Sequence, residues 1–218
     1  MDQYKLTLAF HDKSAVELGG FYDSHDTSKL KHSIWQKYVR KVVAYFLRDT
    51  SGKLLELASG MGDFSYSLRN KYKAICRVDF SHCMIKKAAC NYTDPKIIST
   101  VSDIRHLSLG NKTYNNTTFI NAQHFVLKED LPRVISEIAR VTKSNIVISI
   151  RNKKFIGNKY LNTISYKGVD SELTPQHTSK KVVSQLMYDN GFILDKYWSI
   201  FGFGFLSPIL ILKYRSKA

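Results

Sequence analysis

Along the chain, Leu30, Ile34, Tyr38, Val42 and Phe46 recur at steps of four, which keeps them on one face of a helix. An amphipathic helix is therefore predicted over residues 28–47, with Ser28 or Thr27 as its cap. The period then changes. Residues 53–58 read as a short buried strand, and glycines lead from it into a helix over 63–71. Residues 74–80 are the next strand, Ser81 caps a helix running to about Cys90, and the β-branched run 97–101 is a third strand. Residues 117–122 supply a fourth. Leu131, Val134, Ile135, Ile138 and Val141 make one helical stripe, with Asp130 as the expected cap and Pro132 tolerated in the first turn. The apolar run 145–150 follows as a fifth strand.

Strands alternating with helices through short connections call for a mostly parallel sheet covered on both faces. After Ile150 the rhythm breaks. Residues 151–177 hold glycines, a proline and scattered polar residues, and are expected to run over the sheet edge as a substrate cap. A helix over 178–189, closed by Asn190-Gly191, precedes strand candidates at 193–201 and 208–214. Those two are separated by Gly202-Phe203-Gly204 with no helix between them, so they should pair antiparallel. The expected fold is α/β and doubly wound, with a mostly parallel seven-stranded sheet and an antiparallel last strand. One domain is expected over 1–218, with 1–50 as an amino-terminal helical cover and 151–177 as an inserted cap.

Charge changes this picture more than bulk composition does. Thirty-three Lys and Arg against eighteen Asp and Glu leave a net charge of +15, which favours an anionic partner. The excess is spread along the chain in short doublets such as Lys86-Lys87, Lys153-Lys154 and Lys180-Lys181, so no extended basic arm marks an RNA-binding tract. Cys76, Cys83 and Cys90 fit no common zinc or disulfide framework, and no metal site is expected. Neither a membrane span nor a secretory signal is legible, and a cytoplasmic location is expected.

The chemistry gathers at the ends of the first strands. Leu54-Leu55-Glu56-Leu57-Ala58-Ser59-Gly60-Met61-Gly62 puts an acid near a strand end and small residues in the turn to a helix. Gly60 and Gly62 can take dihedrals closed to other residues and leave amide N–H groups for a ligand, while the following helix offers a partly positive end. Asp79 ends the second strand about twenty residues further on, where doubly wound nucleotide-binding folds keep a carboxylate for ribose hydroxyls. A tight turn also needs glycine for packing alone, so the loop and the aspartate together outweigh either part.

With these residues in place, the sequence resembles the Rossmann-like class I S-adenosylmethionine-dependent methyltransferases, especially the broad group of quinone-biosynthesis and small-molecule enzymes. The likeness spans roughly residues 22–214. It implies S-adenosylmethionine as cofactor, with Glu56, Ala58, Ser59, Gly60 and Gly62 forming the loop and Asp79, followed by Phe80, gripping the ribose. It further implies that Asp103 meets the adenine amino group, that Ile104 packs on the ring, and that Asn121 lies where donor and acceptor meet. Ala58 replaces the family's first glycine, Ser144-Asn145 replaces its Pro-Gly-Gly, and Thr118-Phe119 stands where relatives carry Phe-Asp.

Methyl transfer from a sulfonium asks mainly for alignment in a dry pocket, with a general base needed only when the acceptor carries a proton. His124 is a candidate base, although a histidine at a strand end also serves structure. Tyr22, in the Tyr22-Asp23 pair, resembles a residue that folds over the donor, and Tyr160, Tyr166, Phe201 and Phe203 are candidates for the acceptor wall. The expected acceptor is a small molecule of anionic character, because Arg151, Lys153, Lys154, Lys159 and Lys167 outnumber Asp170 and Glu172 in the cap. An RNA methyltransferase and a silent assembly protein on the same fold are the alternatives. The loop lacks the Gly-x-Gly-x-x-Gly spacing of nicotinamide enzymes.

Overall fold

The computed structural model describes residues 3–17, 27–158, 176–199 and 206–217. Two helices come first, α1 (Gln3–Glu17) and α2 (Thr27–Phe46). They are followed by β1 (Lys53–Leu57), α3 (Asp63–Ser67), β2 (Ala74–Asp79), α4 (His82–Asn91), β3 (Ile97–Val101) and β4 (Tyr114–Phe119). A single 3-10 turn at Gln123–Phe125 leads to α5 (Leu131–Val141), β5 (Thr142–Arg151), α6 (Lys180–Asp189), β6 (Phe192–Ser199) and β7 (Ile209–Ser216).

The seven strands form one sheet in the order β3-β2-β1-β4-β5-β7-β6. Strands β1 to β5 pair in parallel, and β7 runs antiparallel to both β5 and β6. This is the doubly wound, mostly parallel sheet with an antiparallel last strand that the pattern predicts. The chain steps outward from β1 to β3 and then returns to β4 on the other side of β1. In such sheets that reversal opens a crevice beyond the carboxyl ends of the strands.

Period-two alternation divides the core between the two faces. Leu55, Val78, Ile146, Ile148 and Leu212 pack under α5 and α6, where Val134, Ile138, Val183 and Met187 are buried. Their neighbours Leu54, Ile75, Val147 and Ile211 face the other way, against Val39, Val43 and Phe46 of α2 and Phe64 beside them. One residue's shift would reverse every side chain, which is why strands of unbroken apolar sequence hold their register only between two covered faces.

The boundaries differ where polar side chains do the joining. Strand β4 begins at Tyr114, three residues before the expected start, because its asparagines are satisfied by neighbouring chain. Asn115 Oδ1 accepts from Lys53 N at 2.9 Å, Asn116 Nδ2 donates to Ser51 O at 2.8 Å, and Asn145 Nδ2 donates to Asn116 Oδ1 at 2.9 Å. Helix α3 ends at Ser67 rather than 71, since the amides of Leu68 and Arg69 turn back to Ser65 O and Tyr66 O. Ser81 caps α4 as expected, accepting from Met84 N at 3.1 Å, and Ser179 caps α6. Asp130 does not cap α5: its side chain makes no capping bond and is engaged by α1 instead.

Thr27, Ser28, Leu30 and Ile34 fall in α2, but their side chains lie outside the described residues. The Gly202-Phe203-Gly204 connection lies outside them as well. Among the described residues, no helix is long and apolar enough to cross a membrane.

Candidate active site

At the carboxyl end of β1 the chain turns through three left-handed positions, Ala58 (φ 50), Gly60 (φ 54) and Gly62 (φ 76). The two glycines serve different needs. A Cβ on Gly60 would meet nothing within 4 Å and would project into open space, whereas one on Gly62 would lie 2.3 Å from Arg77 Nη1 and 3.1 Å from Ala88 Cβ. Gly62 is thus a packing glycine, and Arg77 is the reason. That buried guanidinium donates to Ala88 O at 3.1 Å and Tyr92 O at 2.9 Å, closing the carboxyl end of α4.

The loop amides expected to stay open are used within the fold. Gly62 N donates to Ser59 O at 3.0 Å, and Gly60 N donates to Asp79 Oδ2 at 2.8 Å. Asp79 Oδ1 accepts from Ser81 N at 3.0 Å, so one carboxylate ties the glycine loop to the start of α4. Burial raises the Asp79 pKa, while the amides of Ser81, Gly60 and Phe80 oppose the shift.

Glu56 is the most buried acid of the site. It is 2% exposed, and burial pushes its carboxyl up to about 7, with Ser65 and the charges of Arg40 and Arg77 opposing the rise. Glu56 Oε2 and Ser59 Oγ are buried atoms with no hydrogen-bond partner. Both residues line the cavity that the reversal of strand order creates. Arg40 of α2 also reaches this wall, held by an ion pair with Asp63 at the start of α3.

Glu56, Ala58, Ser59, Gly60, Asp79, Phe80, Asp103, Ile104 and Asn121 all border this one cavity. Asn121 does so at φ 57, its amide donating to Ser149 Oγ at 2.7 Å and its side chain to Gln36. Gly62 stands behind the wall for the packing reason given above. His124 is not on the wall either. It is buried on the 3-10 turn, its ring 4.2 Å from that of Phe125, which does line the cavity. Tyr22, Tyr160, Tyr166, Phe201, Phe203, Lys159, Lys167, Asp170 and Glu172 lie outside the described residues. Lys153 and Lys154 are exposed.

The sequence pattern did not single out α1. Tyr4, Thr7 and His11 line the cavity, and His11 meets Phe80 and Phe125 edge-on, with ring centroids 5.9 and 5.0 Å apart. Burial lowers the His11 imidazole to about 4, so it is neutral near pH 7. Among the described residues, no group of three or more His, Cys, Asp or Glu is arranged to hold a metal ion.

Residues 54–145 match the family described as a methyltransferase domain. No curated protein matches the chain. Among solved structures, magnesium protoporphyrin IX methyltransferase from Synechocystis, determined with S-adenosylhomocysteine bound, is 14% identical with a TM-score of 0.79, covering 98% of this chain and 100% of its own. The N-methyltransferase NodS of Bradyrhizobium japonicum, also in complex with S-adenosylhomocysteine, is 10% identical with a TM-score of 0.72, covering 97% of this chain and 99% of its own. A protein from Pyrococcus horikoshii is 20% identical with a TM-score of 0.66, covering 84% of this chain and 91% of its own. The chain thus shares the fold of solved methyltransferases, two of them determined with S-adenosylhomocysteine bound, and its residues 54–145 are similar to a methyltransferase domain.

Proposed function

We propose that this protein transfers a methyl group from S-adenosylmethionine to a small anionic acceptor, with the donor held in the cavity at the ends of β1 to β4. The observation that supports this placement best is the pair of unpartnered buried atoms, Glu56 Oε2 and Ser59 Oγ, beside the open side of Gly60. A carboxylate and a hydroxyl there fit the ammonium group of a methionyl tail, whose charge would offset the cost of ionising buried Glu56. The donor, when bound, supplies an activated methyl on a cationic sulfur. The chain's part is to align it and keep water out. Asp79 holds the ribose, Phe80 and Ile104 flank the base, and neutral His11 adds no positive charge against the sulfonium.

On the acceptor side, residues 151–177 form the cap and Tyr22 and His124 are the groups proposed to take a proton. Gln176 N donates to His124 O at 2.8 Å, so the end of the cap segment and the 3-10 turn are joined. His124 is buried behind the cavity wall, so this role requires an acceptor that reaches it from the cap side. The magnesium protoporphyrin IX methyltransferase named above acts on a small molecule by its name, and the net charge of +15 supports an anionic acceptor here. We place the chain in the cytoplasm as one domain over 1–218, with 1–50 as its cover; Cys76, Cys83 and Cys90 are all unpaired, as a reducing compartment keeps them.

Titration calorimetry with S-adenosylhomocysteine tests the donor site. Asp79→Ala should cost roughly 1.5–3 kcal/mol of affinity, the size of a lost charge-assisted contact. Unchanged binding would remove Asp79 from the site. Labelled methyl incorporation into metabolite extracts rather than RNA tests the acceptor class, and label found in RNA would overturn it.

A further inference from the structure

We infer that Asp103 does not read the donor's base: together with Arg105, Asp130 and Tyr4 it forms a clasp that seats α1 across the cavity. This rests on the donor placement proposed above.

Arg105 already engages both oxygens of the Asp103 carboxylate. Oδ1 accepts from Arg105 N at 2.8 Å and Arg105 Nε at 3.1 Å, and Oδ2 accepts from Nε at 2.9 Å and Nη2 at 2.7 Å. Nε–H is shared between the two oxygens, so three N–H groups of Arg105 take most of the roughly four lone-pair sites of the carboxylate, and a purine amino group would have to compete with the guanidinium for it. These bonds hold the Asp103 carboxyl below its usual value against the opposing effect of burial.

The far side of the same guanidinium belongs to α1. Arg105 lies over the Tyr4 ring at 3.8 Å, its Nη1 is 3.6 Å from Asp130 Oδ2, and Tyr4 donates its hydroxyl to that oxygen at 2.8 Å. Burial and Asp130 raise the Tyr4 phenol well above its ordinary value, so it remains a donor. A planar fork suits this role because it can stack on a ring and bind a carboxylate edge at once.

The other end of α1 is tied as well. Ser81 donates its hydroxyl to Asp12 while its oxygen caps α4, and Ala15 is buried with Met61 and Met84. Thr7 and His11 lie between these ties and line the cavity. The helix is therefore held over the donor site by polar ties toward both ends as well as by buried Leu6 and Ala15. Asp103 acts in it as a positioning residue through Arg105.

Two measurements decide the matter. Calorimetry should compare S-adenosylhomocysteine with S-inosylhomocysteine, in which a carbonyl replaces the amino group of the base. The wild-type chain is expected to bind both within about threefold and Asp103→Asn to leave the ratio unchanged, whereas a charge-assisted contact to the amino group would give about tenfold or more. A large wild-type preference that collapses in Asp103→Asn overturns the inference. Stopped-flow release and hydrogen exchange should then follow Tyr4→Ala and Arg105→Ala. Release of S-adenosylhomocysteine should quicken about fivefold or more and amides of residues 3–17 should lose protection, as an unclasped helix opens more often. Unchanged release and exchange overturn the clasp. Should Arg105→Ala not fold, Arg105→Lys keeps the charge but loses the fork and gives the same readouts. If the wild type binds neither nucleoside, the donor placement fails and the statement about the base falls with it, while exchange in Tyr4→Ala still judges the clasp by itself.

Discussion

At the glycine-loop end of the cavity the contacts are made by backbone amides and buried strand residues, whereas at the β3 end they are made by long side chains in pairs. Gly60 N and Ser81 N both donate to Asp79, which is 5% exposed. Arg105 and Asp103 are 28% and 42% exposed in their side chains, and their partners come from α1 and the start of α5. The first end is rigid because moving it breaks the core. The second is adjustable, since exposed ion pairs contribute about 0–1 kcal/mol each.

The largest break in that comparison should come from Gly62→Val. Its Cβ would strike buried Arg77, and a β-branched residue at φ 76 is strained, so about 2–5 kcal/mol of stability should be lost in urea unfolding. A loss below about 1 kcal/mol would mean that this end is not rigid. Gly60→Val should behave oppositely, because its Cβ enters open space. Stability falls only by the dihedral cost of about 1–2 kcal/mol, while affinity for S-adenosylhomocysteine drops about a hundredfold or more. Affinity retained within twofold would make the loop a packing turn.

Glu56 sharpens the contrast through pH. Its folded-state value, raised by burial to about 7, lies above the ordinary 4.5, so the folded state holds the extra proton between those values. Its contribution to stability is therefore fully present below about 4.5 and is lost as pH rises through about 7. Donor binding should run the other way. If the ammonium needs the ionised carboxylate, affinity should increase about tenfold from pH 6 to pH 8, and Glu56→Gln should flatten that slope. A flat wild-type profile would separate Glu56 from the donor.

The smallest effect concerns Ala58, which sits at φ 50 where a glycine is at ease. Ala58→Gly should stabilise by about 0.5–1 kcal/mol, the relief of a left-handed alanine less the added freedom of an unfolded glycine. Thermal unfolding would show a small rise, and a fall would mean that the methyl group's packing outweighs its strain.

Much of the fold was legible because burial writes itself into short periods. Leu54 and Leu55 face opposite covers, and a strand such as β1 that is buried on both faces reads as a near-continuous apolar run. Strand β4 was misplaced because Asn115 and Asn116 read as loop until neighbouring strands supply their partners. Asp130 read as a cap because an acid before a helical stripe usually is one, and only the arrival of Tyr4 redirects it.

By itself the sequence determined the alternation of strands and helices, the glycine turn and the spacing from Glu56 to Asp79, since each depends on neighbours within a few tens of residues. Tertiary structure alone decided that Gly60 faces the cavity and Gly62 faces Arg77, and that His124 stands behind the wall while His11 stands in it. It alone also decided that Asp103 is occupied by Arg105. The physical reason is one of range. Dihedral preference and periodicity are local, but the partner of a polar side chain is whichever group the folded chain brings to it, and Tyr4 meets Asp130 across 126 residues of sequence.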